Sequence, residues 1–221
     1  MSTWNSEKKT VLEAAQRMSR EGYVVGTSGN VSIRLDNPGG PELVAITPND
    51  RHYDTLKIDD IVVVDFDGQR VEGELNTSVE TMLHIGIYKN RKKVNAVMHV
   101  HPVYASIVSV TGEEIPPILE DQVTYLGGEI RIAQYSLSGT DDLARNATTA
   151  LGTSNAVLLA NHGALSVGRD MREAYTNCQM LEKTAKIFVY ARNSGRTIIQ
   201  VPAEPLAVMQ AYFNYLHGDS Q

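Results

Sequence analysis

The sequence predicts an α/β fold, a three-layer αβα sandwich around a central, largely antiparallel β-sheet. Short segments with alternating apolar residues, such as residues 31–35, recur between turns and are typical of strands. Longer segments with apolar residues three or four positions apart indicate amphipathic helices. Because several strands follow each other through short turns, hairpin pairing is favoured over parallel crossovers. The interspersed helices then cover the sheet in layers.

The N-terminal part of the chain begins with a helix and continues with strands. Residues 6–21 have apolar side chains at helical spacing, and Gly22 follows as a helix stop. Glycine-bearing and proline-bearing turns then separate short apolar segments. The predicted strands are residues 31–35, 43–46 and 61–65, followed by a turn leading into Val71.

Helices dominate the rest of the chain. Thr77 or Ser78 is a suitable N-cap for the first helix, and Thr140 is a suitable N-cap for a later one. Cys178 belongs to an apolar stripe of the longest helix, which predicts a core residue rather than a nucleophile. The predicted elements are helices over residues 77–88, 102–110, 140–151 and 169–192, and strands over residues 97–101, 131–133 and 156–160.

Length, charge and cysteine content narrow the functional classes. The chain has 221 residues, which suits a single domain over residues 1–221. Its net charge of −6 argues against a nucleic-acid or anionic membrane partner, since either requires a basic surface. No apolar run approaches the roughly 20 residues of a membrane span, and no signal peptide is evident. We therefore expect a soluble, cytoplasmic protein, without an intrachain disulfide because only one cysteine is present.

His99 and His101 form the most informative pair of residues in the chain. In a strand, residues two positions apart share a face, so these imidazoles are expected to converge. His162 follows the apolar run 156–160 and precedes a glycine, as expected at the end of a buried strand. Three neutral imidazoles with an open position predict a Lewis-acid metal site rather than a closed structural site.

A carboxylate close to such a site permits two chemistries. Glu80 lies at the start of a predicted helix upstream of the histidine strand. A metal ion next to it can polarise a carbonyl group and stabilise an enediolate, or it can activate water for hydrolysis. Glu80 is equally suited to a structural role as a carboxylate at a helix N-terminus. His84, four residues on, is a rival metal ligand, although packing or support of the site is preferred.

Three motifs, taken in order, resemble those of the class II aldolase/adducin family, which includes fuculose-1-phosphate aldolase and ribulose-5-phosphate 4-epimerase. The resemblance extends from about residue 7 to residue 195 at matching intervals. The motifs are Thr27-Ser28-Gly29-Asn30-Val31-Ser32, Ser78-Val79-Glu80 with His99-Val100-His101, and Asn161-His162-Gly163.

The resemblance implies a metal-dependent lyase. It makes His99, His101 and His162 the ligands of one Zn²⁺ per subunit, with Mn²⁺ or Co²⁺ as other possible ions. It makes Glu80 the proton-transfer base; aldolases of this group have glutamate there and the epimerases have aspartate. The implied reaction cleaves a ketose 1-phosphate of the fuculose-1-phosphate type to dihydroxyacetone phosphate and an aldehyde through a metal-stabilised enediolate.

The family's phosphate-binding loops are matched only in part. The resemblance assigns substrate and phosphate binding to Gly29, Asn30, Asn49 and Ser78. However, Val79 stands where many members have a second serine. Thr47-Pro48-Asn49-Asp50 resembles the family's Thr-Pro-Thr-Gly loop, with Asp50 in place of the glycine. An acidic side chain aimed at a phosphate would repel it, unless Asp50 turns outward and leaves Asn49 and Arg51 to bind the anion.

The catalytic acid departs from the family pattern as well. In fuculose-phosphate aldolase a tyrosine from a neighbouring subunit supplies it, but residues 118–122 contain no tyrosine. Asp121, Glu120 or Tyr125 is a candidate replacement, and a purely structural loop is the alternative. Tyr215 lies in a segment that resembles the family's mobile aromatic tail and is placed to close over substrate. The resemblance also implies a homotetramer with active sites at subunit interfaces.

The sequence leaves three hypotheses for the function of the chain. The leading hypothesis is the zinc-dependent ketose 1-phosphate aldolase. A decarboxylase or a sugar-phosphate 4-epimerase on the same fold is the alternative that the altered phosphate loop favours. The third hypothesis is a non-catalytic adducin-like module, which has no chemical reason to retain three histidines and Glu80.

Overall fold

The computed structural model describes residues 4–218. Within this range, eight strands form one sheet in the order β4-β3-β2-β1-β5-β8-β7-β6. Neighbouring strands are antiparallel except for the parallel pair β6 and β7, so the predicted, largely antiparallel sheet is confirmed. The strands are β1 (Asn30–Leu35), β2 (Leu43–Ile46), β3 (Val62–Asp65), β4 (Arg70–Glu72), β5 (Ala96–Val100), β6 (Ile132–Ala133), β7 (Ala156–Leu159) and β8 (Gly163–Gly168).

Helices flank the sheet on both faces. The helices are α1 (Asn5–Arg20), α2 (Thr81–Asn90), α3 (Val103–Thr111), α4 (Glu120–Leu126), α5 (Asp141–Leu151), α6 (Met171–Asn193) and α7 (Ala203–His217). Apolar residues of α1, α3 and α6 form one core with one sheet face, and those of α2 and α5 form a second core with the other face. The predicted α/β layering is therefore confirmed.

The start of α2 differs from the predicted start. The helix begins at Thr81 with Glu80 at the N-cap position, and no side chain caps it. The predicted cap at Thr77 or Ser78 is wrong because the Ser78 hydroxyl already accepts hydrogen bonds from the Glu80 backbone N–H and the Asn30 amide. The predicted Thr140 cap of α5 is confirmed, since its hydroxyl accepts from the Leu143 N–H at 3.3 Å.

The alternation of side chains along β5 determines on which face of the sheet His99 lies. On β5, Ala96, Met98 and Val100 pack into the core with α1 and α6, whereas Val97 packs into the core with α2 and α5. His99 therefore points to the α2 side. It pairs in register with Asn30 on the neighbouring strand β1. The fold thus places polar residues of two central strands beneath the start of α2.

None of the helices within residues 4–218 combines the length and the apolar composition that crossing a membrane requires.

Candidate metal centre and active site

Three histidine side chains converge at one end of the central strands. His99 lies on β5 and is fully buried, His101 directly follows β5, and His162 lies in the turn between β7 and β8. Their ring centroids are 4.7, 4.7 and 5.1 Å apart, and one ligand nitrogen from each lies within 4.8 Å of the others. The residues predicted as metal ligands are therefore brought together, and we refer to them as the histidine cluster.

The local backbone is adapted to this convergence at Gly163. A Cβ at this position would lie 2.5 Å from the His101 ring and 2.6 Å from the Val100 carbonyl oxygen. Both separations are well below van der Waals contact, so only glycine lets β8 begin against the ring of His101. The Asn161-His162-Gly163 sequence thus supplies one ligand and the space for another.

The donor set fits a divalent metal ion. The Nδ1 of His99 lies 3.1 Å from the Ala164 carbonyl oxygen, an acceptor, so Nδ1 carries a proton and Nε2 faces the other two histidines. Burial, together with His99 and His162, lowers the pKa of His101 to about 3. Burial and His99 also lower the pKa of His162. The lowered pKa values keep His101 and His162 neutral, as metal ligands must be, and a site of three histidines leaves further coordination positions for substrate.

Glu80 lies directly beside the histidine cluster. Its Oε2 is 3.2 Å from the Nε2 of His99, and its Oε1 is 3.3 Å from the Nε2 of His162. Two side chains donate to the carboxylate: Asn30 to Oε2 at 2.8 Å and Ser138 to Oε1 at 2.7 Å. Burial by itself would raise the pKa of Glu80, but His99, the hydrogen bonds from Ser138 and Asn30, and His162 lower it to about 2. The buried carboxylate is consequently ionised and held at the metal site.

His84 is not part of the histidine cluster. Its side chain is fully buried, with Nε2 2.5 Å from the Asn30 Oδ1 and Nδ1 2.6 Å from the Ser32 hydroxyl. Both ring nitrogens are thus engaged by protein groups and neither is free for a metal ion. The structure agrees with the preferred interpretation of His84 as a supporting residue.

The residues predicted to bind phosphate fall into two groups. Asn30 and Ser78 are buried, and their side chains are hydrogen-bonded to each other and to Glu80 or its backbone. Gly29 has a φ of +73°, and a Cβ there would lie 2.7 Å from the His99 carbonyl oxygen, so the loop before β1 can approach the metal site only with glycine. Asn49 is exposed on the loop after β2, where its backbone N–H donates to Asn76.

Asp50 occupies a strained backbone position at the tip of the same loop. Its φ of +51° lies in the left-handed region, where glycine is favoured and aspartate is tolerated. The Asp50 carboxylate accepts a hydrogen bond of 3.1 Å from the Thr27 hydroxyl, on the loop before β1. The two loops are therefore joined by a negatively charged side chain.

Asp121 and Tyr215 are not members of the histidine cluster. Asp121 is on α4 and forms an ion pair with Lys183 of α6. Tyr215 is on α7, with about 81% of its side chain exposed. The segment predicted as a mobile tail is a helix that packs against α4 through the buried Phe213. Within residues 4–218, Asp121 pairs with Lys183 rather than with a residue of the histidine cluster.

The sequence did not single out Ser138, which donates to Glu80 from the exposed loop between β6 and α5. A serine in a loop of polar residues has no distinguishing local signal. Its role follows only from the tertiary approach of that loop to α2, where Gly139 packs near Val79.

Comparison with known proteins identifies relatives of this architecture. The sequence profile of the class II aldolase and adducin N-terminal domain family matches residues 9–189. A 5-deoxy-D-ribulose 1-phosphate aldolase of Bacillus thuringiensis serovar kurstaki is 32% identical over 189 residues, covering 86% of this chain and 87% of the relative. A 3-oxo-tetronate 4-phosphate decarboxylase of Haemophilus influenzae is 29% identical over 188 residues, covering 83% of this chain and 87% of that protein. A solved structure of L-fuculose 1-phosphate aldolase has a TM-score of 0.88 at 32% identity and covers 97% of this chain and 98% of its own.

Proposed function

This chain belongs to the class II aldolase and adducin family as a metal-dependent enzyme with a three-histidine site, and on that premise we propose that it is a zinc-dependent aldolase. The proposed reaction is reversible cleavage of a ketose 1-phosphate to dihydroxyacetone phosphate and an aldehyde. Two relatives with this type of substrate, the 5-deoxy-D-ribulose 1-phosphate aldolase and the L-fuculose 1-phosphate aldolase, support the choice.

The position of Glu80 carries this proposal. An aldolase needs a base beside a Lewis acid, because a proton must be moved at the carbon next to the substrate carbonyl. Glu80 is ionised, buried and within 3.3 Å of two histidine nitrogens, so its carboxylate is available at that place. A non-catalytic module has no use for a buried carboxylate that two donors orient toward three imidazoles.

Each residue of the site has a specific role in the proposed reaction. His99, His101 and His162 would hold the zinc ion, which when bound supplies a Lewis acid that polarises the carbonyl and stabilises developing negative charge. In the condensation direction, Glu80 takes the proton from the hydroxymethyl carbon of dihydroxyacetone phosphate. The resulting carbon nucleophile attacks the aldehyde, and an acid donates a proton to the new hydroxyl oxygen. Cleavage follows the same steps in reverse.

A neighbouring subunit is proposed as the source of the acid. We assign the role to Asp121, with Tyr215 closing over the substrate, in a homotetramer whose active sites lie at subunit interfaces. The exposure of Tyr215, which leaves its side chain open to a neighbouring subunit, supports this assignment. The proposed phosphate site consists of Gly29, Asn30, Asn49 and Ser78. The Asn30 amide also donates to Ser78 and to the Glu80 carboxylate.

A metal assay followed by a substrate screen tests the function. The protein as purified is analysed for metal per chain by mass spectrometry, and the zinc-loaded protein is offered ketose 1-phosphates and their unphosphorylated counterparts. Release of aldehyde and dihydroxyacetone phosphate from a phosphorylated ketose is the expected result. A 3-oxo acid phosphate is included because the Haemophilus influenzae relative is a decarboxylase. Release of CO₂ from that compound, without aldol cleavage of any ketose, would replace the aldolase proposal by the decarboxylase alternative.

A further inference from the structure

A continuous chain of hydrogen-bonding side chains extends from Glu80 into the core between β1 and α2. It joins Glu80 to Asn30 at 2.8 Å, Asn30 to His84 at 2.5 Å, His84 to Ser32 at 2.6 Å and Ser32 to Tyr88 at 2.8 Å. The last three residues of the chain, His84, Ser32 and Tyr88, are fully buried. They cannot touch substrate, so any effect they have on the reaction must pass through Asn30 and Glu80.

The direction of the chain follows from the carboxylate. An ionised carboxylate accepts hydrogen bonds and cannot donate them, so Asn30 must present its Nδ2 to Glu80. The second N–H of that amide is directed to the Ser78 hydroxyl oxygen at 3.0 Å. The Oδ1 of Asn30 therefore faces His84, and the Nε2 of His84 must carry a proton in order to donate to it.

The remaining bonds fix the tautomer of His84. Burial, with a further contribution from His99, lowers the pKa of His84 to about 3, so the ring is neutral and has a single N–H. With that proton on Nε2, the Nδ1 is an acceptor and the Ser32 hydroxyl donates to it. The Tyr88 hydroxyl then donates to Ser32. All donors point toward Glu80, and a reversed arrangement would leave buried polar groups unpaired at a cost of roughly 1–3 kcal/mol each.

We propose that His84 is a positioning residue for the proton-transfer carboxylate. In its Nε2–H form it fixes the amide of Asn30, so that Asn30 presents N–H rather than C=O to Glu80. Without this restraint the amide can rotate by half a turn, which places two oxygen atoms in contact and displaces the carboxylate from its position between His99 and His162. The catalytic part of this inference rests on the proposed function, whereas the tautomer does not.

Nuclear magnetic resonance tests the tautomer without any substrate. In the zinc-loaded, ¹⁵N-labelled protein, long-range proton–nitrogen spectra distinguish the two neutral tautomers and the imidazolium, and the signals of His84 are assigned from their loss in the His84→Gln variant. The expected result is a neutral ring protonated at Nε2 at pH 7, with slow exchange of that proton with solvent. A ring protonated at Nδ1 or at both nitrogens would overturn the proposal, whatever reaction the protein catalyses.

Two matched substitutions test the effect on catalysis. In His84→Gln the side-chain amide nitrogen can occupy the position of Nε2 and still donate to Asn30. In His84→Asn the shorter amide can reach Ser32 but cannot donate to Asn30. Because changes to groups that orient active-site residues typically cost about 10–100-fold in activity, we expect His84→Asn to lower kcat by that factor with KM and zinc content unchanged. His84→Gln should restore most of kcat.

Tyr88→Phe serves as the control for buried destabilisation. It removes the outermost hydroxyl and leaves the bonds from Ser32 to Glu80 in place. For Tyr88→Phe we expect a lower unfolding temperature with nearly unchanged kcat.

Equal losses of kcat in His84→Gln and His84→Asn, each matched by an equal drop in unfolding temperature, would show that His84 acts only by packing. Failure of the aldolase proposal would instead appear as absence of turnover in the unaltered protein, and the tautomer measurement would still decide the present inference.

Discussion

The buried metal half of this site and the exposed part of the proposed phosphate site are built in contrasting ways. The metal half stands on central strands and on the start of α2: His99 and Glu80 are buried, and protein groups on several sides fix them. The exposed part of the proposed phosphate site stands on loops, where Asn49 and Asp50 are exposed and Asp50 accepts a hydrogen bond from Thr27; we call this part the loop half. The proposed reaction chemistry is thus tied to the core of the fold, whereas this part of the proposed phosphate recognition lies on segments that can change at little structural cost.

The departures from the family pattern near the proposed phosphate site follow this division. Asp50 and Val79 are exposed, while the neighbours Ser78 and Glu80 are buried and connected to Asn30. A substitution in the buried half would leave a polar partner unsatisfied, at roughly 1–3 kcal/mol per group. A substitution in the loops carries no such penalty.

The largest effect is expected from a substitution within the histidine cluster. His101→Ala should abolish stoichiometric metal binding and reduce activity to background, because loss of the Lewis acid removes several kcal/mol of transition-state stabilisation, on the order of 10³-fold in rate or more. Metal content by mass spectrometry and turnover are the measurements. His52→Ala is the matched control, since His52 is exposed and outside the cluster. Full metal occupancy in His101→Ala would make the ligand assignment wrong.

Removal of the carboxylate charge should have the next largest effect. Glu80→Gln preserves the side-chain shape but removes the base, and we expect kcat to fall by about 10²–10⁴-fold while zinc is retained on the three histidines. Glu80→Asp, which keeps the charge one methylene further back, should retain an intermediate rate. Comparable rates for Glu80→Gln and the unaltered protein would move the base to another residue.

The contrast between the two halves also explains what the sequence could predict. Strand periodicity predicted that His99 and His101 converge and that His162 ends a buried strand, and the family motifs joined His162 to the other two. The layered sheet followed from the same patterns. Ser138 was missed because only tertiary packing brings its loop to Glu80.

The sequence pattern did not predict helices α4 and α7, because tertiary contacts rather than a local apolar pattern define them. Helix α4 has only seven residues, which is too short for a clear periodicity. Helix α7 buries mainly Phe213 and His217, so contact with α4, rather than an apolar stripe, determines its position. Strand β8 consists largely of small residues between two glycines and lies between β5 and β7. Its pairing with them, rather than its composition, defines it as a strand.

A smaller effect is expected at Ser138, where the exposed loop reaches the buried carboxylate. Ser138→Ala removes one of the two side-chain donors to Glu80, but water can replace it at this exposed position, so we expect kcat to fall by about 3–10-fold. The hydrogen bond from Ser138 helps to lower the pKa of Glu80, so its removal raises that pKa. Loss of activity at acid pH should therefore begin at a higher pH than in the unaltered protein.

Ser136→Ala controls for changes in the conformation of that loop. The Ser136 hydroxyl bonds to Asn146 and not to Glu80. A pH–rate profile of both variants is the measurement. An acid limb that shifts equally in both would assign the effect to the loop as a whole and would remove Ser138 from direct support of the carboxylate.

The smallest effect is expected at Asp50, where charge and backbone strain can be separated. Asp50→Gly removes the negative charge beside the proposed phosphate site and relieves the φ of +51°. Asp50→Asn removes the charge but keeps a side chain that tolerates the left-handed conformation and can still accept from Thr27. If charge governs binding, both variants should bind inorganic phosphate more tightly by roughly 1 kcal/mol, about 5-fold. Competition by phosphate against substrate in the zinc-loaded protein measures the phosphate affinity. Only Asp50→Gly should also raise the unfolding temperature, because it alone relieves the backbone strain.

Weaker phosphate binding in both variants, with an altered preference for the polar end of the substrate, would show that Asp50 contacts the substrate directly. The loop half would then favour the decarboxylase or epimerase alternative, while the buried metal half would keep its assignment because no residue of it had changed.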